Sequence, residues 1–364
     1  MKNENLLLQA REIINEVDSE MAKLFVKRMR AAEMVAQYKS ERGLAIYDPQ
    51  REEEVIRRNA ATVEDPTIRE YYVNFLRDTM AISRSYQGRL MEGLRIAYSG
   101  TEGAFAHIAT EKLFPEAKKV SYKDFSSAYR AVEDGECDVA VLPVENSYNG
   151  EVGQVIDLMF SGSLYVNGMY ELPVTQDLLA VPGTSIEDVK QVVSHPQALG
   201  QCAEYISKHG FAQTEYENTA LAARYVAQRG DASVAAIASS EAAAIFGLEV
   251  IDHDINSSRS NTTRFAIFTR VSNFKAKADA GVHSILLFTV RNEAGALARA
   301  VEVIGNHGFN MRCLRSRPMK DLLWQYYFYV EAEGNVQTER GASMMEELGE
   351  FCDRLKFAGT YVKR

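Results

Sequence analysis

The first forty or so residues carry an apolar stripe that only one long helix can present on a single face. Apolar or seam-compatible residues recur there at an alternating spacing of three and four: Leu7, Ala10, Ile14, Val17, Met21, Leu24, Ala31, Val35 and Tyr38. This spacing follows the helical turn and is typical of a helix that packs along its whole length. Gly43 comes directly after the stripe and predicts the end of the helix.

Two shorter helices are predicted to follow within residues 1–92. Asp48-Pro49 reads as an N-cap followed by proline at the first helical position, and Pro66 introduces the third helix. The third helix carries a second stripe of Ile68, Tyr72, Phe75, Thr79, Ile82 and Tyr86. Two short helices cannot cover so long a seam. We therefore expect an all-helical domain that forms a homodimer or a higher homo-oligomer.

Residues 94–272 change to short apolar runs that alternate with helical stretches. The predicted strands are 94–99, 137–143, 178–181, 191–194, 233–238 and 263–269. The predicted helices are about 104–114, 125–134, 152–160, 196–208, 218–229 and 239–246. This alternation favours an α/β domain with a largely parallel sheet.

A third rhythm begins at residue 283 and runs to residue 364. The order there is strand, helix, strand, strand, helix, strand, which is the α+β ferredoxin-like order. Residues 273–282 are small and polar and suit a linker between the second and third domains.

Net charge, cysteine spacing and the length of apolar runs argue against several classes of protein. A net charge of -9 argues against a general nucleic-acid binder. The cysteines are widely spaced with no CxxC pair, so neither a disulfide framework nor a zinc site is expected. No apolar run approaches the roughly 20 residues of a membrane span, and the N-terminus lacks the features of a secretory signal. We expect a cytoplasmic protein, and no motif indicates a metal or an organic cofactor.

Cationic residues interrupt the long stripe. Arg28 occupies a seam position, and Lys39 follows it by 11 residues, about 20° in helical phase and about 16 Å in rise. The two side chains are therefore able to converge on one dianion. Arg11 lies about 25 Å before Arg28, too far for the same site, but in an antiparallel dimer it would reach the partner's site.

These cations belong to a larger set that resembles the all-helical chorismate mutases. The resemblance is to the N-terminal domain of the bifunctional chorismate mutase–prephenate dehydratase family. It covers the whole helical region and includes Arg11, Arg28, Lys39, Asp48, Arg51, Glu52, Ser83 and Gln87. The alternative is that these residues are surface charges on an ordinary dimerisation helix.

The resemblance implies a role for each residue of this set. Arg11 from the partner, Arg28 and Ser83 would hold the two carboxylates of chorismate. Lys39 and Gln87 would donate to the breaking ether oxygen. Arg51 would stabilise the developing charge. Glu52 and Asp48 would hold a substrate hydroxyl or orient neighbouring groups.

Four polar turns at predicted strand ends resemble the prephenate dehydratase domain of the same family. They are a glycine turn, a PVENS turn, an SHPQA turn and an NTTRF strand, at residues 99–103, 143–150, 194–199 and 261–265. The match spans essentially all of 94–272. It implies two α/β lobes around a cleft, similar to periplasmic-type binding proteins, and loss of water and carbon dioxide from prephenate.

The second resemblance also implies residue roles. Thr263 would lie beside the leaving hydroxyl, and Glu145 would be a protonated carboxyl if burial raises its pKa. The expected substrate contacts are Asn146, His195, Gln197 and Arg264. Other interpretations remain open: residues 145–147 as a helix cap, His195 in a rigid turn, and Arg264 as a structural arginine.

Two positions depart from the pattern of the dehydratase family. Thr101 stands where the glycine turn more often has proline, and Gln176 stands where many members have histidine. The second departure bears on the details of substrate contact more than on the reaction.

The C-terminal region resembles the ACT regulatory domain of these enzymes, in which paired domains bind phenylalanine at their interface. The resemblance rests on residues 293–297 and 315–318. The implied ligand positions are Gly295, Ala296, Leu297, Asn310, Ser316 and Arg317. Arg315 replaces the family's glutamate, a charge reversal able to alter affinity or selectivity. The alternative is a module that only dimerises.

Together these resemblances predict a bifunctional enzyme of phenylalanine biosynthesis. It would convert chorismate to prephenate and prephenate to phenylpyruvate, with L-phenylalanine as effector. Two alternatives remain: a monofunctional prephenate dehydratase with a helical dimerisation domain, and a non-catalytic amino-acid sensor.

Overall fold

The computed structural model describes residues 2–257, 260–272, 281–320 and 322–362, with side chains described from residue 5 onward. The chain forms two compact units, Met1–Arg95 and Ile96–Arg364. The predicted linker at 273–282 falls largely outside the described residues. No helix in the described part of the chain is long and apolar enough to cross a membrane.

The first unit is all-helical, as predicted. Its helices are α1 (Lys2–Arg42), α2 (Pro49–Ala60) and α3 (Pro66–Glu92). The N-cap prediction for α2 is confirmed, because the Asp48 side chain accepts a hydrogen bond from the backbone N–H of Arg51 at 3.0 Å. Asp65 caps α3 in the same way, and both helices have proline at the first position.

Most of the stripe on α1 is exposed in the single chain. With 41 residues, α1 is far longer than the 12 residues of α2 and the 27 of α3. The exposed apolar side chains of its first 26 residues are Leu6, Leu7, Leu8, Ile13, Ile14, Val17, Met21, Leu24, Phe25 and Val26. Among the residues of α1 whose side chains are described, only Ala32 and Ala36, two small residues near its C-terminal end, are buried.

The strands and the remaining helices of the described residues lie in the second unit, except that the first strand begins at Arg95. The strands are β1 (Arg95–Ser99), β2 (Lys118–Tyr122), β3 (Val139–Asn146), β4 (Gly150–Glu151), β5 (Tyr165–Pro173), β6 (Asp177–Ala180), β7 (Gln191–Ser194), β8 (Ala212–Glu215), β9 (Val234–Ala238), β10 (Glu249–Asp252), β11 (Thr262–Thr269), β12 (Val282–Val290), β13 (Asn310–Pro318), β14 (Tyr326–Glu333) and β15 (Cys352–Val362). The helices are α4 (Phe105–Leu113), α5 (Phe125–Glu133), α6 (Gly153–Ser161), α7 (Pro196–Gln201), α8 (Ala203–His209), α9 (Thr219–Arg229), α10 (Ser240–Phe246), α11 (Ala296–Asn306) and α12 (Glu339–Phe351).

These strands form two sheets. One has the order β13–β14–β12–β15–β5–β11–β3–β1–β2, with β4 paired to β3, and the other has the order β10–β6–β9–β7–β8. We call β1–β5, β11 and α4–α6 the first lobe, and β6–β10 with α7–α10 the second lobe. The C-terminal module consists of β12–β15, α11 and α12.

The prediction of a largely parallel sheet was wrong, because both sheets are mixed. β3 pairs with β1 in parallel but with β11 antiparallel, and β6 is antiparallel to both of its neighbours. The chain leaves the first lobe after β5, builds the second lobe, and returns through β11. This return strand enters the first sheet against the direction of β3 and β5.

The C-terminal module has the predicted order of strand, helix, strand, strand, helix, strand. Its sheet continues that of the first lobe, because β15 pairs in parallel with β5 where Gly359 lies opposite Val166. Gly359 has φ 135°, and an added Cβ would collide with the backbone of Val166. Glycine is therefore required where the two parts of the sheet meet.

One hydrophobic core serves both the first lobe and the C-terminal module. Tyr129, Met159 and Phe268 of the lobe belong to the same buried cluster as Ile285 and Tyr361 of the module. The predicted regions 94–272 and 283–364 thus share apolar packing as well as a sheet.

Candidate active sites

All three helices of the first unit line a small cavity of about 170 Å³, which we call the helical cavity. Its lining residues are Arg28, Val35, Lys39, Ile46, Asp48, Arg51, Glu52, Val55, Met80, Ser83, Arg84 and Gln87. Seven of the eight residues predicted for the helical region therefore meet at one place. The exception is Arg11, which lies on the exposed surface of α1 outside this cavity.

Arg28 is held from α3. Its guanidinium donates to Ser83 Oγ and, at 3.2 Å, to the backbone carbonyl of Thr79. Burial lowers the pKa of Arg28, while the carboxylate of Glu52 opposes that shift. The cation is thus partly desolvated and fixed in direction, which strengthens its attraction for an anionic ligand.

The other charged groups are also positioned before any ligand binds. Lys39 Nζ donates to the carbonyl of Ile46 at 2.5 Å, and Arg51 pairs with Glu54 at 2.7 Å. Arg84, which the sequence analysis did not single out, binds both carboxylate oxygens of Glu52. Its place directly after Ser83 gave no indication, because consecutive helical residues point about 100° apart.

Gln87 brings a polar group without a partner. Its side chain is buried, and Oε1 has no hydrogen-bond partner among the described residues. A buried amide oxygen without a partner is costly in a folded protein. A bound ligand or water would relieve that cost.

A larger cavity of about 470 Å³ lies between the first and second lobes, and we call it the interlobe cavity. It is lined by Ala104, Phe105, Asn146, Asn149, Gly150, Glu151, Val152, Val174, Gln176, His195, Gln197, Ala198, Gln201, Glu217, Asn218, Thr219, Asn261 and Thr263. All four predicted polar turns contribute to this cavity or immediately precede a residue that does.

Asn146 organises the first-lobe side of the interlobe cavity. Its Nδ2 donates to Thr263 Oγ1 at 2.9 Å and to Asn261 Oδ1 at 2.8 Å. Its Oδ1 accepts from the backbone N–H groups of Tyr148 and Asn149. Because Asn146 donates to Oγ1, the hydroxyl of Thr263 keeps its own proton for another acceptor.

The second-lobe side carries His195, Gln197 and Gln176. His195 caps α7, and its Nδ1 accepts from the backbone N–H of Gln197 at 3.2 Å, so in the neutral ring the proton is on Nε2. Gln176 is buried, and its Oε1 has no partner among the described residues. Thr101 does not line the cavity.

Glu145 and Arg264 do not line the interlobe cavity. Each precedes or follows a lining residue by one position on a strand, and alternate strand residues face opposite sides of a sheet. Arg264 donates to Glu145 at 3.3 Å, to Glu331 at 3.0 Å and to the Tyr361 hydroxyl at 2.8 Å. Their expected contacts with substrate are therefore replaced by contacts with the C-terminal module.

Within this group of contacts, the charges of Arg264 and Glu331 stabilise each other despite burial. Burial acts to lower the pKa of Arg264, but hydrogen bonding and charge attraction from Glu331 outweigh it and raise the pKa. Burial acts to raise the pKa of Glu331, but hydrogen bonds from Arg264 and then Tyr361 lower it overall. Arg264 is in this structure a paired arginine, as the structural interpretation allowed.

The predicted regulatory residues fall on different faces of the C-terminal module. Gly295 directly precedes α11, which begins with Ala296, and Leu297 is half-buried. On β13, Asn310 donates to Glu333 at 2.8 Å and Ser316 is exposed. Arg317 reaches the first lobe instead, where it donates to Asp157 at 2.9 Å.

Two family models match the chain. The model for chorismate mutase type II matches residues 10–88, and the model for prephenate dehydratase matches residues 96–273. The first match contains the whole helical cavity, and the second contains the whole interlobe cavity.

Curated relatives match over most of their length. A bifunctional chorismate mutase/prephenate dehydratase of Neisseria gonorrhoeae is 30% identical over 98% of this chain and 97% of its own. Arogenate dehydratase 2 of Petunia hybrida is 34% identical over 74% of this chain and 71% of its own.

A solved structure is similar in fold to about three quarters of this chain. Prephenate dehydratase from Arthrobacter aurescens, described in complex with L-Phe, superposes with a TM-score of 0.68 at 24% identity. The alignment covers 74% of this chain and 90% of that one.

Proposed function

This chain belongs to the bifunctional chorismate mutase/prephenate dehydratase family, and from that premise we propose which cavity performs which reaction. The family predicted from the sequence is confirmed. The enzyme acts in phenylalanine biosynthesis, rearranging chorismate to prephenate and converting prephenate to phenylpyruvate. We assign the rearrangement to the helical cavity and the dehydration to the interlobe cavity.

The rearrangement needs a fixed electrostatic environment rather than a proton or a nucleophile. One carbon–oxygen bond breaks and one carbon–carbon bond forms within chorismate, while negative charge develops on the ether oxygen. Arg28 binds a carboxylate with the help of Ser83, and Lys39 and Gln87 donate to the ether oxygen. Arg51 stabilises charge, and Glu52 and Asp48 orient their neighbours. The supporting observation is that these seven side chains share one cavity.

A second copy of the chain completes this site. The exposed apolar stripe on α1 would be covered by the same stripe of a partner, as in other isologous dimers. Arg11, exposed on the distant part of α1, then enters the partner's helical cavity and binds the second carboxylate.

The dehydration needs a group that assists the loss of hydroxide. The ring carboxylate leaves as carbon dioxide, and its bonding electron pair enters the ring as the carbon–oxygen bond breaks. One proton converts the departing hydroxide to water. Thr263 donates a hydrogen bond to that oxygen, since Asn146 leaves its proton available.

The rest of the interlobe cavity binds the substrate. Asn146 and Gln197 contact prephenate, and His195, whose neutral ring carries its proton on Nε2, donates a hydrogen bond to it. The proton that converts the departing hydroxide to water comes from solvent. Glu145 is removed from that role, because it lies outside the cavity in ion pairs with Arg264 and Arg315.

The C-terminal module is an ACT-type ferredoxin-like domain in this proposal, and phenylalanine inhibits the dehydratase by binding there. Support comes from the order of its elements and from the relative described with L-Phe. The ligand positions are Gly295, Ala296, Leu297, Asn310 and Ser316. We also propose a cytoplasmic location.

The test is to supply purified protein with chorismate, prephenate or arogenate and to measure phenylpyruvate or phenylalanine, with and without added phenylalanine. Phenylpyruvate from both chorismate and prephenate, suppressed by phenylalanine, is the expected result. Product from prephenate alone would reduce the helical unit to a dimerisation domain. Turnover of arogenate instead would assign the amino substrate, and no product at all would favour a non-catalytic sensor.

A further inference from the structure

We propose that the C-terminal module is part of the dehydratase machinery, because Arg315 and Arg317 act as positioning residues for one wall of the interlobe cavity. That wall is the hairpin of β3 and β4, residues 139–151, and we call it the wall hairpin. The inference rests on the proposed assignment of the interlobe cavity to dehydration. It concerns activity in the absence of any effector.

The wall hairpin has an electrostatic conflict in its own ladder. Glu145 of β3 lies directly opposite Glu151 of β4, and Asn146 lies opposite Gly150. Like charges directly opposite each other on adjacent strands repel and destabilise the pairing. The hairpin therefore needs cations to hold its register, and β4 itself has only two residues.

The C-terminal module supplies cations at this point. Arg315 forms an ion pair with Glu145 and lies 3.9 Å from a carboxylate oxygen of Glu151, while Arg317 forms an ion pair with Glu151. The two arginines are alternate residues of β13 and so project from the same side of the strand. Arg264 adds a contact to Glu145 from within the first lobe.

The contact is partly shielded from water and is closely fitted. The Arg317 side chain is 16% exposed and that of Arg315 is 25% exposed. Such half-buried pairs are less screened than pairs on an open surface. Arg317 also packs over Gly153, where an added Cβ would collide with its guanidinium, and it donates to Asp157 of α6.

The wall hairpin also contacts the interlobe cavity and Thr263. Asn146, Asn149, Gly150 and Glu151 line the interlobe cavity, and Asn146 donates to the hydroxyl oxygen of Thr263. Letting Glu145 and Glu151 move apart would displace Asn146, which follows Glu145 on β3 and forms the next ladder pair with Gly150. Displacements of about 1 Å in a positioned group are able to reduce a rate on the order of 100-fold.

The inference can be tested by changing the charge of the side chain at position 315. Where this chain has arginine, the family it resembles has glutamate, and a glutamate here would bring a third carboxylate to Glu145 and Glu151. We expect Arg315→Glu to lower kcat for prephenate roughly 10- to 100-fold, with a smaller change in KM. Arg315→Lys, which keeps the charge, should recover most of that loss.

The experiment measures prephenate turnover and chorismate rearrangement in the same full-length preparations. The control is Arg312→Gln, an exposed arginine of β13 that pairs with Glu333 and should leave both activities unchanged. Adding Glu145→Gln to Arg315→Glu removes one repelling carboxylate and should restore part of the activity. A purely structural loss would not respond to that second change.

Each outcome bears on the proposal. Retained chorismate rearrangement and an unchanged melting profile identify a specific loss in the dehydratase. Arg315→Gln, a milder variant, is used if Arg315→Glu does not fold. Prephenate turnover within about twofold of wild type in Arg315→Glu, or in Arg315→Gln where that variant replaces it, would overturn the inference. An inactive wild-type dehydratase would instead refute the proposed function.

Discussion

The two cavities of this chain solve opposite electrostatic problems. The helical cavity gathers four cations, Arg28, Lys39, Arg51 and Arg84, around a space of about 170 Å³. The first-lobe side of the interlobe cavity presents mainly amides and a hydroxyl, such as Asn146 and Thr263, and the carboxylate of Glu151. A rearrangement that moves no proton is served by fixed charge, whereas the loss of hydroxide requires a donor at one oxygen.

The cavities also differ in whether one chain completes them. Both sides of the interlobe cavity come from the lobes of a single chain. The helical cavity lacks Arg11, and the helix that carries Arg11 exposes its apolar stripe. One reaction should therefore depend on association between chains and the other should not.

The sharpest separation of the two sites comes from Thr263→Val. This change removes the hydroxyl while keeping the side-chain shape, so the dehydratase kcat should fall on the order of 100- to 1000-fold. Rearrangement of chorismate should not change. Thr263→Ser, which retains a hydroxyl, is the matched control, and comparable losses in both variants would show that packing rather than the hydroxyl matters.

Arg28→Ala should produce the reciprocal result. Loss of the guanidinium that Ser83 and Thr79 hold should reduce chorismate rearrangement roughly 100- to 1000-fold and leave prephenate turnover intact. Arg30→Ala, two residues away on the exposed surface of α1, is the control. Loss of both activities in Arg28→Ala without unfolding would break the two-site description.

Mixing two inactive chains tests the dependence on association. Arg11→Ala and Arg28→Ala chains, unfolded and refolded together in equal amounts, would give about half mixed dimers, each with one intact helical cavity out of two. Rearrangement should recover to about one quarter of wild type. Dehydratase activity should be the same before and after mixing, and an absence of recovery would mean that Arg11 does not act in the partner's site.

The smallest effect expected is on acid stability. Because the folded-state pKa of Glu331 lies below its ordinary value of 4.5, its contribution to stability is present above that pH and is lost as pH falls through the folded-state pKa. Glu331→Gln should therefore flatten the decline in unfolding free energy below pH 4.5. Urea unfolding followed by near-UV circular dichroism measures this, with the exposed Glu346→Gln as control.

The sequence predicted the helical unit well because its signals are local. Helix starts follow from Asp48-Pro49 and from Pro66, and the cavity residues follow from spacing together with the family pattern. Periodicity could not show what covers the stripe, since that depends on a second chain.

Prediction was poorer for the sheets, where the decisive contacts are distant in sequence. The strands β2, β4, β5, β8 and β10 were not predicted. All four residues of β8 are exposed, so no apolar face marks it as a strand. The direction of β11 depends on a return from the second lobe, which no local pattern records. All four of Asn146, Thr263, Glu145 and Arg264 were predicted to lie together at the substrate, although alternation along the two strands already puts Glu145 and Arg264 on the other face of the sheet.

Arg315 shows where analogy with a family reaches its limit. At sequence level it read as a change in a ligand site, because the resemblance concerned phenylalanine. Its partner Glu145 is 170 residues away, and only the folded chain brings the two together.

Gly359 has a consequence for how this enzyme is able to vary. The long sheet is continuous across the module only because one residue has no side chain, and every missense change in its codon introduces one. No other amino acid therefore fits at position 359 without moving the backbone of Val166. A single such mutation would push β15 away from β5 and would disturb the hydrophobic core that the lobe and the module share.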